Sequence, residues 1–339
     1  MHKATFLEGT IDFSITPDGP ILIKAGETGG ADPTLPDMEF VRSRGQIYIP
    51  GPSLKGVVRA QCERICRSLD SEQLQQARQA YRRRLSQDEP IVPLADNPLG
   101  AGTCYNGLDD MNYSSGRAIE GMNLKGADRT AVIYRRSSFV SQIFGHTSLA
   151  GRVRFADAYP EGKLEVEQRN GVAIDRIYGS VAVGPFNYET VVSGTFRTSI
   201  YFKNLTLAQF ALLGLALRDL AEGRVAIGFG KSRGLGRVKV EFTALSLSYP
   251  TCTLTNGEIR LLNGKRVATA SELVGLGALC ADDAYRAYAL PEEDRVPLPA
   301  GMTYTEDEFL GVRLNVRGND AVRSLWRACM PAWRREIGL

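Results

Sequence analysis

Histidine is almost missing from this chain: among 339 residues only His2 and His146 occur. An enzyme that works through a pair of histidines as general acid and base has little to be built from. The six cysteines form no C-x-x-C pair and no regular framework, and Cys62 and Cys66 lie four apart in a helix-like run. They read as reduced thiols of a cytosolic protein. No apolar run approaches the ~20 residues that a membrane span needs. The first residues, "MHKATFLEGT", lack the pattern of a signal peptide. The expectation is a cytoplasmic protein with no membrane partner. No charge of one sign dominates either: 41 basic residues face 38 acidic ones, for a net +3. Charge alone therefore does not mark a nucleic-acid binder, and any basic surface must be local. What is present is ordinary globular composition, 43% hydrophobic and 23% charged, enough for one large domain or two smaller ones.

The first clear element is a strand. Leu7, Gly9, Ile11, Phe13 and Ile15 alternate with Glu8, Thr10, Asp12 and Ser14. A Gly- and Pro-rich loop follows as far as "IYIPG", and a loop of that length is usually functional. A helix opens at Pro52 and Ser53 with Leu54, Val58, Cys62, Ile65 and Leu69 as its buried face. Lys55 and Arg59 share another face of it. Residues of about 68–136 read as an insertion, a polar helix followed by the stretch "PLGAGTCYNGLDDMNYSSGRAIEGMNLKGAD", loop-like throughout. "VAIDRIYGSVAVGPFNYETVVSGTF" reads as a hairpin of two halves around a Gly/Pro turn. The sharpest helix is 206–222, with a Thr206/Gln209 capping box, apolar residues at helical spacing and Gly223 as its stop. Val238, Val240 and Phe242 then point inward from a last strand, and 250–339 mixes short strands, a Pro-rich link and a closing helix, "NDAVRSLWRACMPAWRREI". The order fits an α+β fold of the β-α-β-β-α-β type, ferredoxin-like or RRM-like, with the helices on one face.

The most unusual stretch is "GFGKSRGLGRV", Gly228 to Val238. Four glycines surround Lys231, Ser232 and Arg233. A Walker A loop does not fit, because Val225 stands where its first glycine belongs. The loop also leaves a helix and enters a strand, the reverse of a P-loop. A nucleoside triphosphatase is disfavoured on both counts. A turn that merely needs left-handed glycines would not require two cations and a hydroxyl. Close backbone approach with those groups suits a sugar-phosphate chain. "YIPGPSLKGVVR" offers a second anion-binding wall, with N–H groups at a helix start and Lys55 and Arg59 on its first turns.

Together these stretches resemble the RAMP superfamily of CRISPR effector proteins. "YIPGPSLKGVVR" is similar to that family's I-P-G-S-S-L-K-G-x-x-R signature, with Pro52 in place of the first Ser, and "GFGKSRGLGRVKV" to its glycine loop. "FGHTSLAGRVRFADAYP" resembles the L-F-G…R-x-x-F-x-D-A segment of type III backbone subunits, and the 160–196 hairpin their thumb. The resemblance covers about 5–245. It implies a modified RRM-like palm over 1–249, with an insertion at 68–136, a thumb at about 160–196 and a C-terminal extension at 250–339. It also implies a backbone subunit that binds crRNA, holds the guide–target duplex and adjoins other CRISPR effector subunits, neighbouring RAMP proteins among them. Ser53, Lys55, Arg59, Phe144, His146, Lys231, Ser232 and Arg233 are the implied RNA-binding residues.

In type III relatives an Asp in the loop after the first strand cuts target RNA with Mg²⁺ or another divalent cation. "DMEFVR" fits that place and nominates Asp37, with Asp32 as its rival; an Asx-turn residue is the plain alternative for either. Relatives often carry C-x-x-C before L-F-G, helping to bind zinc. Here Ser138 and Ser141 stand in those positions, so no structural zinc is expected and no metal ligands are assigned. Three alternatives remain in view. One is a catalytically inactive crRNA-binding subunit of the same complex. The others are a guide-processing ribonuclease of the superfamily, which the scarcity of His opposes, and a nucleotide-binding enzyme.

Overall fold

A computed structural model describes residues 4–25, 38–69, 71–85, 92–104, 112–122, 124, 126, 129–280 and 286–339. The strands in chain order are β1 (Glu8–Pro17), β2 (Arg42–Ser43), β3 (Gln46–Ile47), β4 (Val153–Phe155), β5 (Tyr159–Ile174), β6 (Val181–Lys203) and β7 (Val238–Tyr249). They continue with β8 (Cys252–Thr255), β9 (Glu258–Leu261), β10 (Arg266–Thr269), β11 (Glu272–Val274), β12 (Arg295–Pro297), β13 (Tyr304–Glu306) and β14 (Val312–Arg317). The helices are α1 (Gly51–Ser68), α2 (Glu72–Leu85), α3 (Ser115–Glu120), α4 (Arg129–Arg135), α5 (Phe139–Phe144), α6 (Leu207–Ala221), α7 (Leu276–Leu279), α8 (Asn319–Ala328) and α9 (Met330–Ile337).

The main sheet has the order β13-β14-β7-β1-β6-β4, with β5 pairing β6. Its four central strands lie fourth-first-third-second in order of appearance, the ferredoxin-like arrangement. Alternation sets the faces. Ile11, Phe13 and Ile15 of β1 are buried and stand opposite Ile200, Thr198 and Phe196 of β6. In β7 the buried set Val240 and Phe242 changes phase to Leu245, Leu247 and Tyr249. The change coincides with an irregularity opposite Asp12 and Phe13. A bulge there keeps twelve residues of β7 on one core despite the phase slip.

Helices α1 and α6 cover the apolar face. The expected buried positions of α1 hold for Leu54, Val58 and Cys62; Cys66 joins them, while Ile65 and Leu69 are partly buried against the same core. In α6 the capping box forms in full: Thr206 Oγ1 accepts from Gln209 N–H, and Gln209 Oε1 accepts from Thr206 N–H. Twelve residues of α6 are buried because its sequence is apolar nearly all round. The second cover comes from α8 and α9, which pack against α6, with Trp326 edge-on to Phe242 at 4.7 Å. Residues beyond 250 thus finish both layers: β14 extends the sheet beside β7, and one core cluster contains residues from Leu7 to Ile337.

Three expectations need correction. The closing helix is two helices, α8 and α9, separated at Cys329. Pro331 supplies no N–H to continue the ladder and suits a helix start instead. The stretch read as loop throughout contains α3, whose Ser115, Gly116, Ala118 and Ile119 are buried. The hairpin turns at Asp175–Ser180, and Gly184 and Pro185 lie inside β6. There Asp175 Oδ1 accepts from Ile177 N–H at 2.7 Å and Asp175 O from Gly179 N–H at 2.9 Å, an Asx turn that outcompetes the Gly-Pro pair. From that turn the sixteen residues of β5 run about 50 Å back to the sheet and are exposed or half-exposed throughout.

Candidate nucleic-acid interface

The glycine loop is a rigid shelf. Gly228 has φ 74° and Gly236 φ 93°, both left-handed; a Cβ on either would strike the carbonyl oxygen of Leu22 or Ile227. Phe229 N–H donates to Leu22 O at 2.7 Å and Gly236 N–H to Pro20 O at 2.9 Å, tying the loop to the segment after β1. Lys231–Arg233 make one turn of 3₁₀ helix, and all three side chains are exposed. The N–H groups of Lys231 and Ser232 donate to no backbone acceptor among the described residues.

This shelf lies between two walls. On one side, burial followed by the charge of Arg64 on α1 lowers the Lys231 pKa from its ordinary value. An anion bound at the shelf would offset that like-charge repulsion. On the other side the Arg233 guanidinium lies 5.3 Å from the ring centroid of Phe186, in the returning arm of the hairpin. The hairpin root is itself clamped. Arg42 makes a two-pronged ion pair with Glu189, at 2.8 and 2.5 Å, and Phe40 N–H donates to Glu189 Oε2 at 3.0 Å. Met38 bridges Tyr188 and Ile21 bridges Val191. The segment after β1, the glycine loop and the hairpin root therefore form one assembly. Asp32 and Asp37, nominated as catalytic, lie outside the described residues.

The start of α1 forms a second cluster. Gly51 N–H donates to Asp157 Oδ1 at 2.7 Å, and Ile49 bridges Ala158, so the helix begins pressed against the turn after β4. Lys55 has its pKa lowered by burial and then by Arg59. Its Nζ lies 3.5 Å from the point a Cβ on Gly151 would occupy. Ser53 sits at the same helix start, its N–H spent on Pro50 O. Arg59 is committed inside the protein: it donates to Glu63 at 2.9 Å, Gly145 O at 3.0 Å and Ser141 Oγ at 3.3 Å.

Phe144 and His146 were nominated as RNA contacts, with simple packing the other reading of His146, and both lie in packed surroundings. Phe144 is 2% exposed and belongs to the main core, so its ring faces no groove. His146 Nδ1 accepts from Ser148 N–H at 3.2 Å, and Ser137 Oγ donates to Ile133 O at 2.7 Å. That leaves His146 Nε2–H to donate to Ser137 Oγ at 2.8 Å. Burial lowers the His146 pKa, consistent with a neutral ring that fixes a loop.

Ser138 and Ser141 are donors to one buried carboxylate. Asp96 Oδ1 accepts from Ser138 Oγ at 2.5 Å and Ser141 Oγ at 2.8 Å, and Oδ2 from Ser115 N–H at 2.8 Å. Burial alone would raise the Asp96 pKa; these hydrogen bonds outweigh it and hold the carboxylate below its ordinary value. The network joins α3 to α5 and, through Ser141, to Arg59. Sequence reasoning missed Asp96, Arg64 and Phe186. Arg64 had a usable signal as an exposed cation on the same helix as Lys55. Asp96 and Phe186 meet their partners only through contacts distant in sequence.

Among the described residues no cluster of three or more His, Cys, Asp or Glu side chains could hold a metal ion, and no helix is long and apolar enough to cross a membrane. No curated protein sequence matches the chain. A family model, that of the RAMP superfamily, matches residues 15–239, from within β1 through α6 and the glycine loop to the start of β7. With that match across two-thirds of its length and a ferredoxin-like sheet beneath it, the chain belongs to the RAMP superfamily of CRISPR-associated RNA-binding proteins.

Proposed function

We propose that this chain is a crRNA-binding backbone subunit of a type III CRISPR effector complex, and that it cleaves target RNA through Asp37. The observation that carries the RNA-binding part is the glycine shelf lodged between α1 and the hairpin root. It offers Lys231 and Arg233, the Ser232 hydroxyl and spare backbone N–H groups where Arg64 and Phe186 close the sides. Such a shelf holds phosphate and sugar with little preference for base. The hairpin, a long exposed arm rooted in that shelf, supports a role in separating a guide–target duplex.

Cleavage is the finer part of the reading. One route to RNA cleavage that needs no histidine is attack of the 2′-OH on the adjacent phosphate, in line with the leaving 5′ oxygen. A splayed backbone supplies that alignment. Asp37 accepts the 2′-OH proton as O2′ bonds to phosphorus and the P–O5′ bond breaks; a water molecule protonates the leaving O5′, a 2′,3′-cyclic phosphate remains, and a nearby Lys or Arg steadies the extra charge. A divalent cation belongs to this reading as an expectation carried by the family resemblance. Neighbouring subunits are expected on the same ground.

The test is target cleavage by the reconstituted complex. End-labelled RNA complementary to the guide is incubated with Mg²⁺ or with a chelator, using wild type, Asp37→Ala and Asp32→Ala. Loss of specific bands in Asp37→Ala with guide binding retained supports the reading. An unchanged band pattern in both variants makes the chain a scaffold that holds guide phosphate without cutting.

A further inference from the structure

The solvent face of the main sheet carries a concavity of about 720 Å³ at the opposite end of β7 from the glycine loop. Ser246, in its floor, lies eight residues beyond Val238, where the loop joins the strand. That is about 26 Å along an extended chain. One cross-strand row forms the floor: Asn315, Ser246, Thr10, Tyr201 and Arg154 stand side by side on β14, β7, β1, β6 and β4. The row is about 19 Å wide, four strand spacings. Its middle is small and polar, which makes the face concave.

The charge is one-sided. Four basic side chains and one acidic one, Glu8, line the concavity. Arg152 is buried and donates to Asn204 O, and Arg313 pairs with Asp307. Arg154 and Lys203 have no carboxylate partner among the described residues, and the Arg154 guanidinium lies 5.0 Å from the Tyr201 ring centroid. Tyr201 is 41% exposed, a flat aromatic surface beside a cation. The other large apolar residues here, Val153, Phe202 and Leu247, are buried. The face thus lacks the apolar centre of a protein–protein interface. It has the parts of a single-strand platform: a stacking ring, flanking cations and a hydroxyl-lined floor. The concavity also reaches Gly151, beside Lys55, so the start of α1 and the sheet face adjoin around β4.

We infer that this sheet face is a second binding surface for single-stranded nucleic acid, on which one base stacks on Tyr201 while Arg154 and Lys203 hold flanking phosphates. The inference rests on the RNA-binding reading of the chain, but not on Asp37 or on the glycine shelf.

The test uses the full chain and single-stranded oligouridine carrying 4-thiouridine, read by fluorescence anisotropy over a salt series and by mapping of crosslinks. Tyr201→Ala should weaken binding roughly 5- to 150-fold, the range for one lost stacking contact, and Tyr201→Phe should restore it. Arg154→Ala with Lys203→Ala should lower the slope of log K against log salt by about 1.4, two phosphate contacts on a single strand. Crosslinks should map to the β6 peptide that contains Tyr201 and persist there in Lys231→Ala/Arg233→Ala. These side chains are exposed, so an unchanged melting temperature confirms folding. If oligouridine binds and only the Lys231/Arg233 variant responds, the sheet-face inference fails and the shelf stands. If the sheet variants alter self-association instead, the face is a protein interface and the inference fails. If wild type binds no oligouridine, this inference and the RNA-binding reading fall together.

Discussion

A single buried carboxyl should give this protein a measurable loss of stability between pH 5 and 8. Asp294 is 1% exposed and bridges two helix starts: Oδ1 accepts from Leu207 N–H of α6 and Oδ2 from Gly277 N–H of α7, both at 3.0 Å. Burial raises its pKa from 3.8 to about 7, against the pull of those two N–H groups and of Arg335, while Glu336 adds to the rise. The folded state therefore holds the proton more tightly than the unfolded chain. Its advantage is complete below the unfolded value near 4 and disappears as pH rises to about 7. A shift of about three units corresponds to ~4 kcal/mol in all, of which ~2.5 kcal/mol falls between pH 5 and 8. Urea unfolding across that range measures it. His146, whose pKa is lowered, works the other way below its ordinary value, so the comparison that isolates Asp294 is with Asp294→Asn. That variant starts lower, by ~1–3 kcal/mol, because an amide NH₂ must face one of the two backbone donors. It should then lack the downward slope. If wild type and Asp294→Asn keep parallel pH profiles, the buried carboxyl is ionised throughout and its two N–H donors outweigh its burial.

Three further outcomes follow from the shelf and its supports. Gly236→Ala should leave the chain folded but destabilised by at least ~1–2 kcal/mol, the cost of a side chain at left-handed φ. It should also weaken guide binding by displacing the loop, and native-like circular dichroism with unchanged affinity would sink that expectation. Lys231→Ala and Arg233→Ala should each lower the salt slope of single-strand binding by about 0.7, whatever the sequence of the RNA; a slope that stays put removes these residues from the phosphate path. Asp96→Ala strands two buried hydroxyls and the Ser115 N–H, and should cost at least ~3 kcal/mol in denaturant unfolding. A near-neutral effect would mean that α3 is not docked through this network.

The central sheet and its covering helices were legible because their residues obey local rules. Alternation in β1, the capping box of α6 and the phase of Val238, Val240 and Phe242 each need only a few neighbouring residues, and each is found in the structure. Features that depend on competition between local signals were misplaced. Gly184 and Pro185 look like a turn, but Asp175 ends its strand first by capping Ile177 N–H. Features that depend on distant partners were out of reach. The break at Cys329 lets α8 pack on β7 while α9 reaches α2, where Arg78 and Arg82 approach Glu336 at 3.5 and 3.6 Å. The site shows the same division. The glycine loop announces itself by composition, whereas the commitment of Arg59 to Glu63, Gly145 and Ser141 shows only when α1 and α5 are brought together.

That division explains how a chain with net charge of only +3 can offer a polyanion surface. Many of its arginines are used internally: Arg42 on Glu189, Arg59 on Glu63, Arg78 and Arg82 beside Glu336, and Arg218 on Asp219. Each such pair contributes to architecture and cancels in the far field. Among the described residues, the cations without a carboxylate partner include Lys55, Lys231 and Arg233 on α1 and the shelf, and Arg154 and Lys203 on the sheet face, where they can act on a ligand. Lys55 and Lys231 already have lowered pKa values, from burial and from a neighbouring cation. An arriving phosphate would reverse the second effect, raising both pKa values and drawing in protons if either lysine is partly deprotonated. Guide binding measured by calorimetry in two buffers of different ionisation enthalpy should then show proton uptake at alkaline pH, and less of it in Lys231→Arg. Equal heats in both buffers at alkaline pH would mean that binding leaves the protonation of these lysines unchanged.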